Sequence, residues 1–281
     1  MAPPYDMDEN SDGRGGEDIG PAAVFHALRA RGDTHVWWWR QPLSTDPADL
    51  ALLGTEEFRQ ALCMRSEQEA TAFVHTRAAA RRAAAELLGT GPEDIGIVEP
   101  PCTPCGDVSH GPTHLGRPDA PLAVGLARTG GFTVLAVGAG SAVGAGAELL
   151  HPVRHDVLSE PWLTADEALH MLSLPRGAAR DEAFYRCRAR KRAVLDAVGH
   201  GADAVPLDRI ESYPATTGTV LMHCPGLPGT LGRTAWVVRD LALPEPVAAA
   251  VAGAAGAEPP CGPLRLHLPG AAAPGGARRP R

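Results

Sequence analysis

Lysine is almost missing from this chain of 281 residues: Lys191 is the only one, against a good supply of arginine, alanine, glycine and proline. Aromatic residues make up only 5%, and no stretch interleaves them with basic residues as a nucleic-acid groove would. The formal net charge of −7 and the pI near 5.9 point the same way, against a generally basic surface. Long apolar runs are also missing, so no membrane span is expected. The Ala-rich stretch from Val247 to Ala257 is too short and its side chains are too small. The first twenty residues are acidic and Gly-rich, without the basic start and apolar centre of a secretory signal, so a cytoplasmic location is the expectation. Six cysteines in a chain long enough to build its own core do not argue for a disulfide framework.

What is present alternates between helical and extended patterns. Residues 1 to about 20 read as a disordered leader within a leader and entry segment of 1–30, 31–139 and 140–254 as two subdomains, and 255–281, rich in Pro, Gly and Arg, as a disordered tail. His35-Val36-Trp37-Trp38-Trp39 is a short β-type run whose tryptophans serve core and edge packing. Glu67 to Leu88 has the strongest helical pattern, and Gly89 stands where a C-terminal glycine belongs. Segments 122–126, 132–137, 145–149, 219–223 and 234–238 read as strands. Thr164 caps a helix with an acidic first turn, a longer helix runs from about Ala179 to Val198, and Pro246 to Ala254 is expected to form a last short helix. The expected class is α+β, in layers.

Several local patterns carry chemistry. Cys102, Cys105, His110 and His114 form a Cys-x2-Cys-x4-His-x3-His array whose ligand types suit a small structural zinc site. Arg77 and Arg81 lie one helical turn apart and suit a phosphate, or simply a solvated helix face. Arg128 precedes a glycine pair and has the same two readings. The basic run Arg186, Arg188, Arg190, Lys191, Arg192 reads by itself as a solvated face.

Taken in order, these segments resemble a known family. Phe73 to Arg81 looks like the arginine-bearing helix of Sfp-type 4′-phosphopantetheinyl transferases. Cys102-Thr103-Pro104-Cys105-Gly106 and Leu115-Gly116-Arg117-Pro118 resemble elements of its actinobacterial members. Leu163 to Glu167, Phe184 to Gly199, Trp236 to Leu241 and Ala248 to Ala252 resemble its later helices and closing strand. The resemblance runs from about residue 33 to 254. It implies two pseudo-symmetric α/β subdomains with a coenzyme A cleft between them. The implied reaction is holo-ACP synthase chemistry, the Mg-dependent transfer of phosphopantetheine from coenzyme A to a serine of an acyl or peptidyl carrier protein. No nucleic-acid or membrane partner is implied.

Carried over residue by residue, the resemblance makes Lys191 and Glu148 catalytic candidates. Arg77, Arg81, Arg117, Arg128 and Arg192 become coenzyme A contacts, and Glu148 a Mg²⁺ ligand. The family's metal strand, Gly-x-Asp-x-Glu, reads Gly144-Ala145-Gly146-Ala147-Glu148 here, so its Asp is Gly146. The Glu of the family's Lys-Glu pair is Arg192, its later Lys is Asp196, and its phosphate-contacting His is Arg128. Two of three carboxylates are replaced, and Mg²⁺ is a hard cation that needs oxygen ligands. An acid from elsewhere in the cleft, Asp196, Asp156 or Glu160, would be needed to rebuild the shell. The expectation is therefore a family fold with standard catalysis weakened or lost. A non-catalytic binder of coenzyme A or carrier protein, and a repurposed enzyme of specialised metabolism, are the alternatives.

Overall fold

The computed structural model describes residues 20–98, 113–140, 142–153, 160–199, 206–225, 227, 234–244, 246–256 and 262–267. Six helices are seen among them: α1 (Pro21–Arg31), α2 (Pro47–Leu50), α3 (Thr55–Leu62), α4 (Glu67–Leu88), α5 (Ala165–Ser173) and α6 (Ala178–Ala197). The strands are β1 (Thr34–Arg40), β2 (Gly96–Val98), β3 (Thr113–Arg117), β4 (Ala120–Thr129), β5 (Phe132–Gly138), β6 (Val143–Leu149), β7 (Thr219–His223), β8 (Ala235–Leu241), β9 (Val247–Ala254) and β10 (Leu264–His267). The expected α+β class is what is seen.

The long helices begin and end as their sequences dictate. Ser66 Oγ accepts the Glu69 N–H to cap α4, and Gly89, at φ 67°, closes it in the left-handed conformation that glycine adopts without strain. Thr164 and Glu167 form a reciprocal capping box at the start of α5.

Two sheets result, ordered β10-β1-β5-β4-β3-β2 and β6-β9-β8-β7. The run β1-β5-β4-β3 and the whole of β6-β9-β8-β7 follow one plan. In each, the first strand leads to a long helix, α4 or α6, and the next three strands return in reverse spatial order.

Strand alternation then sorts the side chains into layers. On β1, Val36 and Trp38 join Val134 and Ala136 of β5 and Ala145 and Ala147 of β6 in a core between the two sheets. Leu135 and Val137 of β5 face the other way, onto Phe25 and Leu28 of α1 and Ala84 and Leu88 of α4. On the second sheet Ala250 and Ala252 of β9 face Ala193, Val194 and Leu195 of α6. The order is helix, sheet, sheet, helix, with the cores between the layers.

Three expectations change. Pro246–Ala254 is not helical: Val247–Ala254 is strand β9, between β6 and β8. Alanine favours helices, but here its small side chain lets α6 and the first sheet close on both faces of one strand. The entry segment to residue 30, grouped with the leader and given no element of its own, is helical from Pro21, because Phe25 and Leu28 are buried. The tail is ordered at Leu264–His267, where β10 pairs in parallel with β1. Arg239 Nη1 donates to the Gly262 carbonyl at 2.6 Å, and Asp33 accepts from Arg265 at 2.8 Å, which fastens the start of that strand.

Candidate anion-binding crevice

The two sheets approach most closely where β4 crosses β6. Gly125 makes this contact possible: a Cβ there would lie 2.5 Å from the Ala145 nitrogen. Among the described residues β3 pairs with β4 only as far as Val124, and no described strand covers that edge of the upper half of β4. β6 is the outer strand of its own sheet. Asp196, the penultimate residue of α6, joins the two edges, with Oδ2 accepting from the N–H of Leu126 and of Ala145, both at 2.9 Å. Thr129 Oγ1 adds a further link by accepting from the Leu149 N–H at 3.0 Å.

A crevice of about 210 Å³ opens at this seam, lined by Leu126, Arg128, Gly146, Arg192, Leu195 and Asp196, among others. Arg128 is the group that gives it character. Among the described residues it makes no hydrogen bond and no ion pair. Its surface is exposed, yet enough protein surrounds it for desolvation to lower its pKa from the ordinary value, and the nearby charge of Arg77 adds to this. Glu69 opposes the shift.

The rest of the basic run shows how differently a cation is treated when it holds the fold. Arg190 is fully buried and uses all five of its N–H groups. It donates twice to Asp240, and to the carbonyls of Ser212, Tyr213 and Thr216. Lys191 is also fully buried, and its three N–H groups meet Glu167 Oε2 at 2.6 Å and the carbonyls of Trp162 and Leu207. Arg186 donates to the Pro214 carbonyl at 2.9 Å. The run is therefore not a solvated face. Arg186, Arg190 and Lys191 staple α6 to the loops beside it, while the more exposed Arg188 and Arg192 pair with Glu148 of β6, and lone charges in a sequence give no sign of which groups will meet them.

This corrects the placement of several candidates. Lys191 cannot face a phosphate, because its ammonium is sealed in an ion pair with Glu167. Arg81 is buried too, in a two-bond pair with Glu57 and on the Ile95 carbonyl, so it holds α4 to its surroundings and not a ligand. Arg117 is at the far end of β4 from Arg128 and is paired with Asp119. Eight residues of strand, at about 3.3 Å each, separate its register from the crevice. Arg77 lies 3.8 Å from Glu57 and over the Phe73 ring, close enough for its charge to reach Arg128. Of the zinc candidates, Cys102, Cys105 and His110 are outside the described residues, and His114 is on β3, half-buried.

Glu148 is buried on the α6 face of β6 and is already occupied. Arg192 Nη1 donates to its Oε1 at 2.8 Å, and Arg188 Nε lies 3.3 Å from the same oxygen. Gly144 and Gly146 share that face, and α6 rests directly on them. A Cβ on Gly146 would collide with the Ala189 carbonyl oxygen and stand 2.8 Å from the Ala193 nitrogen. The residues present do not fit Mg²⁺: one carboxylate is neutralised by two guanidiniums, and helix backbone fills the place of the second. Asp156 is outside the described residues, Glu160 accepts from Trp162 Nε1, and Asp196 is committed to the seam.

A larger hollow of about 500 Å³ lies beside β8 and β9, bordered by Glu182, Arg186, Thr217 and Asp240. Size does not make it the better candidate, since Arg186 and Asp240 are spent on the 212–218 loop. No helix among the described residues is long and apolar enough to cross a membrane. Compared with models of known protein families and with curated proteins, the chain matches none.

Proposed function

We propose that this chain is a protein of the 4′-phosphopantetheinyl transferase superfamily whose seam crevice takes the pyrophosphate of coenzyme A, with Mg-dependent transfer to a carrier-protein serine weakened or lost. The observation that carries the reading is Arg128, a cation with no hydrogen-bonded or ion-paired partner among the described residues, in a crevice where two sheets of one plan meet. A partly desolvated guanidinium is a site for a phosphate oxygen, which it can hold by two parallel N–H donors. Arg192 borders the same crevice and brings a second positive charge.

The loss of standard transfer follows from the same geometry. Phosphoryl chemistry of this kind draws on a divalent cation to neutralise charge and on a carboxylate to accept the serine proton. Here Arg192 holds Glu148, and the carboxyl group that borders the crevice, Asp196, is tied through Oδ2 to the two seam N–H groups. That favours the second reading, a non-catalytic binder of coenzyme A or of a carrier protein, for which arginine supplies the charge that a metal would have brought.

Two measurements test this together. Calorimetry of coenzyme A with EDTA present is expected to show binding that Arg128→Gln abolishes; no binding with or without Mg²⁺ would end the proposal. Intact mass of an apo carrier protein after incubation with coenzyme A and Mg²⁺ is expected to show no phosphopantetheine gain, beside an active transferase as control. A gain lost on Glu148→Ala would mean that transfer survives.

A further inference from the structure

Asp196 divides its two oxygens between two neighbourhoods. Oδ2 accepts both seam N–H groups. Oδ1 has no partner among the described residues, and Asp196 borders the crevice together with Arg128 and Arg192. An anion arriving on Arg128 therefore shares about 210 Å³ with a carboxyl group. If that group were ionised, two like charges would stand together in a partly desolvated space, a severe penalty.

A proton on Oδ1 removes the conflict and leaves the seam intact, because Oδ2 still has lone pairs for Leu126 and Ala145. The carboxylic acid then becomes a donor aimed at the same anion. The environment favours this form: burial pushes Asp196 up to about 7, although the two backbone N–H groups pull it down. The guanidiniums of Arg128 and Arg192 border the same crevice and favour the ionised form until an arriving anion takes up their charge. Arg128 comes from β4 and Arg192 from α6. Glu148 of β6 is held by Arg188 and Arg192. Ala145, Gly146 and Ala147 bring no charge to the lining.

We propose that Asp196 binds the anion of this crevice as a carboxylic acid, donating its Oδ1 proton to an anion oxygen beside Arg128 and Arg192, so that one proton is taken up from solvent for each anion bound. The ligand class is a tetrahedral oxyanion, phosphate ester or sulfate. A buried carboxyl kept neutral so that it can donate is a known device for holding an oxyanion. The inference rests on the anion reading of the crevice.

Inorganic sulfate is the probe, because it does not titrate across the neutral range and any pH dependence then belongs to the protein. Sulfate affinity, measured by calorimetry, is expected to be flat below neutrality and to fall about tenfold per pH unit above it. In two buffers of different ionisation enthalpy, the wild-type heats are expected to report uptake approaching one proton per sulfate above neutrality. Asp196→Asn keeps an acceptor for the two N–H groups and an N–H donor for the anion, so it is expected to bind sulfate with no pH dependence across neutrality. Sulfate binding that needs Arg128 but takes up no proton would overturn this inference and leave the anion site standing. No saturable sulfate binding at any pH would overturn both. The buffer comparison uses only the wild-type chain, so a poorly folded variant does not spoil the test.

Discussion

The Ala189 carbonyl oxygen of α6 occupies the space into which a side chain on Gly146 of β6 would have to grow. This contact makes the absence of a carboxylate there part of the packing, so that restoring one costs the fold.

Gly146→Asp is therefore expected to destabilise the protein by at least about 3 kcal/mol, from overpacking combined with a buried charge. It is not expected to create Mg²⁺ binding, because Arg192 still holds Glu148. Chemical denaturation and Mg²⁺ titration check the two halves separately. A variant of wild-type stability that binds Mg²⁺ would show that α6 can move away.

The buried pair Lys191–Glu167 is expected to be structural. Both side chains are fully buried, with Nζ 2.6 Å from Oε2, and Glu167 Oε1 accepts from Ser212 N and Oγ. Lys191→Met leaves Glu167 charged and uncompensated, a loss of about 3–5 kcal/mol. Urea denaturation measures it. Sulfate affinity at neutral pH should stay within about twofold of wild type, since the Lys191 ammonium is spent on Glu167 and the Trp162 and Leu207 carbonyls and does not line the crevice. A large loss of affinity with the fold intact would return Lys191 to the site.

Helices α4 and α6 and strands β4 to β8 were legible because caps, terminal glycines and alternation are local signals. Alanine misled at β9, where its preference for helix lost to a position between α6 and the first sheet. β10 was illegible for a different reason. Its pairing with β1 spans more than 200 residues, and no local pattern around Leu264 announces it. In the crevice, Arg128 was legible by its place beside the glycine pair, and the resemblance marked Arg192. Asp196 was named only as a substitute metal ligand. Its role depends on two backbone N–H groups from strands about 50 and 70 residues away, which no side-chain pattern records.

The strand that closes the first sheet is expected to loosen in acid. His35 Nδ1 and His267 Nε2 are 3.0 Å apart, and one must donate to the other, which requires a neutral ring. Burial, and then the neighbouring His267, lower His35 to about 4 from an ordinary value near 6.5. Asp33 opposes this, while Arg265 and Arg31 reinforce it. His267 is lowered as well, mainly by burial, with Glu86 acting against the shift. With the folded value below the unfolded one, this contribution to stability is present above about pH 6.5 and is lost as pH falls towards about 4. Hydrogen-exchange protection at 34–37 and 264–267, taken relative to the intrinsic rate at each pH, should fall across that window ahead of the β5–β4 pair. His35→Phe should flatten the dependence. Equal protection of both regions at all pH values would refute it.

The chain's only ε-amine has no access to solvent while α6 is packed. A folded molecule thus offers amine-reactive reagents no lysine, and an adduct on Lys191 records an unfolding event. The same seal closes the native protein to every lysine modification, acylation and isopeptide tagging alike. Any control by modification must act on other side chains, or wait for α6 to open.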